Sequence, residues 1–189
     1  IILVTLHPIN LDKKSSSQTI INLLKVLKKY NNFSIIFTSP NQDTYGKIII
    51  KKIKQFIKKR SNCLLFKNLG NQKYFSLIKI SRAVVGNSSS GIIETPSLGV
   101  PTLNIGLRQR GRIAAKSVIH SESTFKSINN NLKKAVNLRL KKIKNPYHLD
   151  KIEPSNEILK FLKRQNFKYF KHEKVFYDLN KRNINEKKY

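Results

Sequence analysis

The chain has 189 residues, of which 39% are hydrophobic, and it carries a formal net charge of +28 at pH 7. This length is sufficient for one α/β domain with a hydrophobic core, plus a tail. No apolar run approaches the roughly 18–20 residues that a membrane-spanning helix needs. The single cysteine, Cys63, excludes an internal disulfide and a Cys-rich metal site, and it favours a cytoplasmic protein.

The positive charge raises nucleic acid or an anionic membrane as a partner. The excess is mostly lysine, it is spread along the chain, and it accompanies many isoleucine and asparagine residues. AT-rich codons encode all three residue types, so a bias in base composition explains the charge without a polyanionic partner. We therefore expect neither nucleic acid nor a membrane to bind, and we leave open whether the chain forms a homo-oligomer.

Strand and helix patterns alternate along the chain, which predicts βαβ units and a doubly wound parallel sheet of Rossmann-like type. Ile1 already lies in a strand pattern, without a preceding methionine or a signal-peptide pattern, so we expect that upstream residues were removed. The predicted elements are strands at 1–6, 33–37, 63–66, 83–85, 101–105 and 117–120, and helices at about 15–27, 45–59, 71–81, 90–98, 123–140 and 155–164. Ser15, Ser16 or Ser17 is the expected cap of the first helix, and Ser123 that of the helix at 123–140.

The loop after the strand at 83–85 is the first candidate site, because ligands of open α/β sheets bind at the carboxyl ends of strands. It contains Ser88 and Ser89, whose hydroxyls could hold phosphate oxygens together with the N-terminus of the next helix. Glu94 lies one turn into that helix, where a carboxylate suits ribose hydroxyls better than phosphate. The alternative is that the serines cap the helix and Glu94 is its first-turn acid.

The loop after the next strand is the second candidate site. Arg108, Arg110 and Arg112 lie within five residues and beside glycines, which suits recognition of an anion. The alternative is a solvated basic loop. His7 follows the first strand at the same edge, whereas His120, His148 and His172 have no partners at metal-ligand spacing, so we expect no metal and no cofactor.

Three ordered segments, 86–94 (GNSSSGIIE), 96–101 (PSLGVP) and 104–112 (NIGLRQRGR), resemble the UDP-N-acetylglucosamine 2-epimerase family. The resemblance extends to LVTLHP at 3–8, SVI at 117–119 and NPY at 145–147, and so covers residues 1–165. The segment 174–179 (KVFYDL) resembles the ending of the hydrolysing branch, which serves sialic and legionaminic acid synthesis. Leu107 departs from the family pattern, in which threonine is usual.

The resemblance implies a two-domain, glycosyltransferase-B-like architecture of which this chain is the C-terminal half. It implies a nucleotide-sugar-binding domain at 1–165, a charged tail at 166–189, and an absent N-terminal catalytic half. By resemblance, Ser88 and Ser89 contact the diphosphate of a UDP-sugar or GDP-sugar, Glu94 the ribose, and Arg108 the phosphate charge. Tyr74 stands where the family has an aromatic residue near the uracil, and the alternative is that Tyr74 is a core aromatic residue. His7 is the expected catalytic residue, which assists departure of the nucleotide.

The implied reaction removes UDP across C1–C2 of UDP-N-acetylglucosamine, and water then adds to give N-acetylmannosamine. Such a reaction needs a positioned base and an acid, but Glu94 is the one acidic residue in a recognisable site segment. We therefore expect the isolated chain to bind UDP weakly and to turn over no substrate. The alternatives are the nucleotide-sugar-binding half of a glycosyltransferase and a basic nucleic-acid-binding domain.

Overall fold

The computed structural model describes residues 1–9, 13–41, 43, 45–140, 143–148 and 153–165. The strands are β1 (Ile2–Thr5), β2 (Ile35–Thr38), β3 (Cys63–Phe66), β4 (Ala83–Gly86), β5 (Thr102–Ile105) and β6 (Val118–Ser121). The helices are α1 (Lys13–Leu27), α2 (Gly46–Ile57), α3 (Gly70–Ile80), α4 (Ser90–Ile93), α5 (Phe125–Asn137) and α6 (Pro154–Arg164). A 3-10 turn spans Thr95–Leu98. No helix within these ranges is long and apolar enough to cross a membrane.

The strands form one sheet in the order β3-β2-β1-β4-β5-β6, and every neighbouring pair is parallel. The chain winds outward in one direction from β1 to β3 and in the other from β4 to β6. The junction of β1 and β4 is therefore the topological switch point, where such sheets form a ligand crevice at their carboxyl ends. The predicted doubly wound α/β fold is confirmed.

Two apolar layers cover the sheet, as parallel strands require. On one face, β1, β2, β4 and β5 pack against α1, α2 and α5, whose buried residues include Leu23, Ile53 and Leu132. On the other face, Leu3 and Val84 pack with Ile78 of α3 and with the segment around the 3-10 turn. Because both faces are covered, the ligand-accessible part of the sheet is its edge.

The start of α1 corrects one prediction. Ser15, Ser16 and Ser17 lie inside the helix, which begins at Lys13, so none of them is its cap. The Ser16 hydroxyl oxygen instead accepts a hydrogen bond from the backbone N–H of Ile9 at 2.9 Å. This serine is buried and ties the segment after β1 to the helix from within.

The predicted helix at 90–98 is interrupted. A single turn, α4, ends at Ile93 and is followed by the 3-10 turn. Pro96 has no N–H for the i−4 carbonyl, so it cannot extend the α-helical ladder. The Thr95 hydroxyl donates to the carbonyl of Ser90 at 3.0 Å, and Gly99 ends the segment in a left-handed conformation.

The predicted bounds of α5 also shift. Its N-cap is Thr124, whose hydroxyl accepts from the N–H of Ser127 at 3.3 Å, and not Ser123. The helix ends at Asn137 and does not reach residue 140. The carbonyl of Ser123 accepts a hydrogen bond from Asn22 of α1 at 2.9 Å, so this residue serves helix packing instead.

The chain divides into two units, residues 1–148 and 149–189. The first contains the whole sheet, and the second contains α6, which has Pro154 near its start and no buried residue. The expected boundary between residues 165 and 166 remains a prediction. The segment 174–179, on which the hydrolysing ending was based, lies outside the described residues.

Gly86, the last residue of β4, allows a test of the close approach of β1 and β4 at the switch point. Its φ is +141°, and a Cβ added there would collide with the carbonyl oxygen of Thr5 in β1. We expect Gly86→Ala to lower the free energy of unfolding by roughly 3 kcal/mol or more, through backbone strain and overpacking. Urea denaturation followed by circular dichroism measures this loss.

Gly99→Ala is the matched control, because Gly99 also has positive φ, at +74°, but faces open space. Its expected cost is about 1–2 kcal/mol, from the left-handed conformation alone. Equal losses in the two variants would contradict the proposed close approach of β1 and β4.

Candidate functional site

Asn87 connects the loops that follow β1, β4 and β5 at the switch point. Its side-chain oxygen accepts from the backbone N–H of His7 at 2.7 Å, and its amide nitrogen donates to the carbonyl of His7 at 2.9 Å. The carbonyl of Asn87 accepts from Arg108 Nη1 at 3.1 Å and from Gln109 Nε2 at 2.9 Å. The structure thus brings His7 and Arg108 together through one residue.

The His7 imidazole is half-buried beside Arg108. Its Nδ1 accepts a hydrogen bond from the backbone N–H of Asn41 at 3.1 Å, which assigns the proton of the neutral ring to Nε2. Burial lowers the pKa of His7 below its ordinary value of 6.5, and the charge of Arg108 lowers the pKa further. A hydrogen bond with Asn41 and the charge of Asp43 raise the pKa, but less than burial and Arg108 lower it. The structure therefore favours a neutral His7 that can donate from Nε2.

A chain of hydroxyls lies in the loop after β4. Tyr74 Oη and Ser90 Oγ are 2.6 Å apart, and Ser90 Oγ donates to Ser88 Oγ at 3.3 Å. The structure therefore places Tyr74 of α3 against the serine loop. Ser89 is the N-cap of α4 and makes no capping hydrogen bond with its side chain, whereas Ser88 Oγ accepts from the backbone N–H of Ser90 at 3.4 Å, so the capping alternative applies to the hydroxyl of Ser88 and not to that of Ser89.

Glu94 follows the last residue of α4, so it is not a first-turn acid. Its Oε2 is buried and has no hydrogen-bond partner among the described residues. A buried carboxylate oxygen without a donor is costly, which makes it a candidate acceptor for ligand hydroxyls. Because α4 is one turn long, the expected contribution of a helix N-terminus to anion binding is small.

The described residues contain two functional candidates that the sequence did not single out. Gln109 is 3% exposed and Asn87 2% exposed, although both are polar. Asn87 directly follows β4 and Gln109 lies four residues after the end of β5, but the contacts of these two residues cannot be read from spacing. Asp43, the carboxylate that acts on His7, was also missed, because it lies in the irregular segment between β2 and α2.

Three cavities differ in their relation to this edge. One of about 230 Å³ borders Tyr74 and the ends of β2 and β3, and its lining includes Thr38, Ser39, Lys67, Asn68 and Leu69. Another of about 610 Å³ lies beside Arg110, Arg112 and His120. A groove of about 830 Å³ lies between α1 and α2 and is rimmed by Lys25, Lys28, Lys52, Lys58, Lys59 and Arg60. The first two open near the ends of strands, whereas the groove lies on the outer helical surface.

Known proteins resemble this chain in sequence and fold. A family model described as UDP-N-acetylglucosamine 2-epimerase matches residues 1–163. A GDP/UDP-N,N'-diacetylbacillosamine 2-epimerase (hydrolyzing) of Campylobacter jejuni is 46% identical over 121 residues, which are 64% of this chain and 32% of that protein. The polysialic acid biosynthesis protein P7 of Escherichia coli is 34% identical over 183 residues, which are 93% of this chain and 46% of that protein.

A solved structure has the same fold. The UDP-GlcNAc 2-epimerase of Methanocaldococcus jannaschii, in complex with UDP-GlcNAc and UDP, matches with a TM-score of 0.65 and 18% identity. The match covers 87% of this chain and 45% of that one. The chain thus spans less than half the length of each of these three proteins.

The lowered pKa of His7 generates a prediction. In a pH titration followed by NMR, His7 should titrate below 6.5, and Arg108→Ala should raise this pKa without restoring 6.5, because burial is the larger cause. In the unfolded chain His7 has its ordinary pKa of 6.5, so the contribution of His7 to the free energy of unfolding is complete above pH 6.5. It is lost as the pH falls from 6.5 towards the pKa of the folded state.

Arg112→Ala is the control, since Arg112 does not act on the pKa of His7. A His7 pKa that is unchanged by Arg108→Ala would show that the guanidinium lies elsewhere.

Most substitutions lower the free energy of unfolding, but replacing the unpaired carboxylate of Glu94 is expected to raise it. We expect Glu94→Met to raise the free energy of unfolding by about 1 kcal/mol, because it removes a buried acceptor that has no donor. Thermal or urea denaturation without nucleotide measures the change. Glu122→Met, at an exposed carboxylate, should change stability by less than about 0.5 kcal/mol. A loss of stability in Glu94→Met would mean that this carboxylate already has a partner.

Proposed function

Because this chain belongs to the UDP-N-acetylglucosamine 2-epimerase family, we propose that it is the nucleotide-binding half of a hydrolysing 2-epimerase. The whole enzyme would release UDP from UDP-N-acetylglucosamine and yield N-acetylmannosamine, in sialic-acid-type sugar synthesis. The chain is then the C-terminal half of a glycosyltransferase-B-like protein of the cytoplasm. The names of the Campylobacter jejuni and Escherichia coli relatives support the hydrolysing reaction and the pathway.

The observation that carries this proposal is the set of hydrogen bonds around Asn87. They hold a neutral imidazole and a guanidinium side by side at the switch point, where open α/β sheets bind nucleotides. A guanidinium suits the diphosphate of a sugar nucleotide through paired N–H donors. Because α4 is short, Arg108 and the hydroxyls of Ser88 and Ser89 supply the phosphate contacts in this proposal.

The nucleoside would lie beside α3 and α4. The cavity bordered by Tyr74 has room for part of a nucleobase, and Tyr74 is half-buried at its edge. The unpaired Oε2 of Glu94 would accept hydrogen bonds from the ribose hydroxyls. These two contacts do not select uracil over guanine by themselves, so the site could accept UDP or GDP.

His7 would assist departure of the nucleotide. A neutral ring that carries its proton on Nε2 can donate to a phosphate oxygen as negative charge develops on it. Together with Arg108, this donor stabilises the leaving group in an electrostatic manner. Abstraction of the C2 proton requires a further base. Among the described residues, Asp43 and Glu94 are the carboxylates in this region. Glu94 is assigned to the ribose and Asp43 acts on His7, so we propose that the other half of the protein supplies the base.

UDP binding to the 189-residue chain tests the proposal. We expect chemical-shift changes at the amides of residues 86–91 on addition of UDP, and weaker effects with GDP if uracil is the selected base. Arg108→Ala should weaken UDP binding by about tenfold or more, since it removes a charge-assisted hydrogen bond. Arg112→Ala, in the same loop, should change the affinity by less than about twofold, because Arg112 is not among the donors that the carbonyl of Asn87 holds at the switch point.

Two further measurements separate the alternatives. A nucleic-acid-binding domain would prefer duplex or single-stranded DNA to UDP and would lose affinity steeply with salt. In that case substitutions of Lys25 and Lys58 in the groove, and not of Arg108, would abolish binding. A glycosyltransferase would form a glycosidic bond when the chain is joined to its other half, whereas the proposed enzyme releases free N-acetylmannosamine.

A further inference from the structure

We propose that Asn87 and Gln109 are positioning residues, which hold the guanidinium of Arg108 beside the imidazole of His7. The inference rests on the proposed function only for the identity of the ligand. Its geometry concerns the chain without nucleotide, so it can be tested whether or not UDP binds.

Asn87 fixes the backbone where β1 ends. The ladder between β1 and β4 ends at the pair of Thr5 and Gly86, and the N–H of Asn87 donates to the carbonyl of Thr5 at 3.2 Å. Beyond that point the side chain of Asn87 bonds both backbone groups of His7, at 2.7 and 2.9 Å. An amide is the side chain that offers both an acceptor and a donor in this plane. The backbone of His7 is therefore fixed by Asn87.

Asn87 also holds the loop after β5. The carbonyl of Asn87 accepts from Arg108 at 3.1 Å and from Gln109 at 2.9 Å, which uses both of its lone pairs. Arg108 is exposed and could adopt many rotamers, whereas Gln109 is 3% exposed. The buried glutamine therefore anchors the loop, and the exposed arginine takes its position from that anchor.

The buried Oε1 of Gln109 has no hydrogen-bond partner among the described residues. A buried amide with one unpaired oxygen is not optimised for stability, since the unpaired group costs free energy. Its Nε2 bond to Asn87 is the contact that justifies a glutamine here. A residue selected for packing alone would be apolar.

The test is a double-mutant cycle that uses the pKa of His7 as its readout. Charged groups that act on His7 are Arg108, from the loop after β5, and Asp43, from the segment before α2. In the native background, Gln109→Met should raise the pKa of His7, because Arg108 is no longer held near the ring. In the Arg108→Ala background, Gln109→Met should leave this pKa unchanged.

A purely structural role gives a different result, because general loosening would expose His7 and raise its pKa in both backgrounds. That outcome would overturn the proposal, as would a pKa that Gln109→Met leaves unchanged in the native background. Gln109→Ser, which leaves space for a water molecule, repeats the cycle if methionine is not accommodated. Loss of folding in both variants would also overturn it, since Gln109 would then be required for the fold itself.

The same variants distinguish this inference from the proposed function. If native chain does not bind UDP but the cycle gives the expected pattern, the proposed function fails and the positioning role stands. If UDP binds and the pKa of His7 rises in both backgrounds, the proposed function stands and the positioning role fails.

Discussion

The hydrogen bonds of Asn87 are the interaction on which the candidate site depends. Three loops leave the sheet at its switch point, and loops at such positions have no ladder of their own to fix them. Asn87 extends the pairing of β1 and β4 by one residue through its side chain and receives the β5 loop through its carbonyl. The close approach of Gly86 to Thr5 makes this geometry accessible, because a larger residue would separate the two strands before Asn87 could reach His7.

The candidate site combines a rigid sheet with buried polar groups that reduce stability. The sheet beneath it is covered on both faces, whereas Glu94, Asn104 and Gln109 each keep a buried oxygen without a donor among the described residues. Unpaired buried acceptors reduce stability, and native proteins retain few of them. Two of the three lie next to the end of β4, since Asn104 pairs with Gly86 and Gln109 bonds Asn87. Arg82 Nη2, Thr102 Oγ1 and Ser117 Oγ are also buried without a partner among the described residues, at or just before the starts of β4, β5 and β6, so unsatisfied groups occur at both ends of the strands.

The sequence predicted the strands well because parallel strands that are covered on both faces are continuous apolar runs. Helix ends were less predictable. Serine is a common helix cap, but Ser16 lies inside α1 and accepts a hydrogen bond from the N–H of Ile9. No local sequence pattern reveals this contact. Pro96 indicated the break after α4, but the prediction of one continuous helix at 90–98 did not take this proline into account. Asn87 and Gln109 could not be assigned, since the bonds of Asn87 to His7 join residues 80 positions apart and depend on the strand order.

The unpaired acceptors have a consequence for the chemistry of inhibitors. Compounds that mimic a diphosphate with additional carboxylates would bring more lone pairs to an edge that already contains three uncompensated oxygens. A compound that presents hydroxyl or amide hydrogens towards Glu94, and only one compact anionic group towards Arg108, matches the local supply of donors and acceptors. Selectivity at this edge would therefore follow the placement of hydrogen atoms in the compound more closely than its total negative charge.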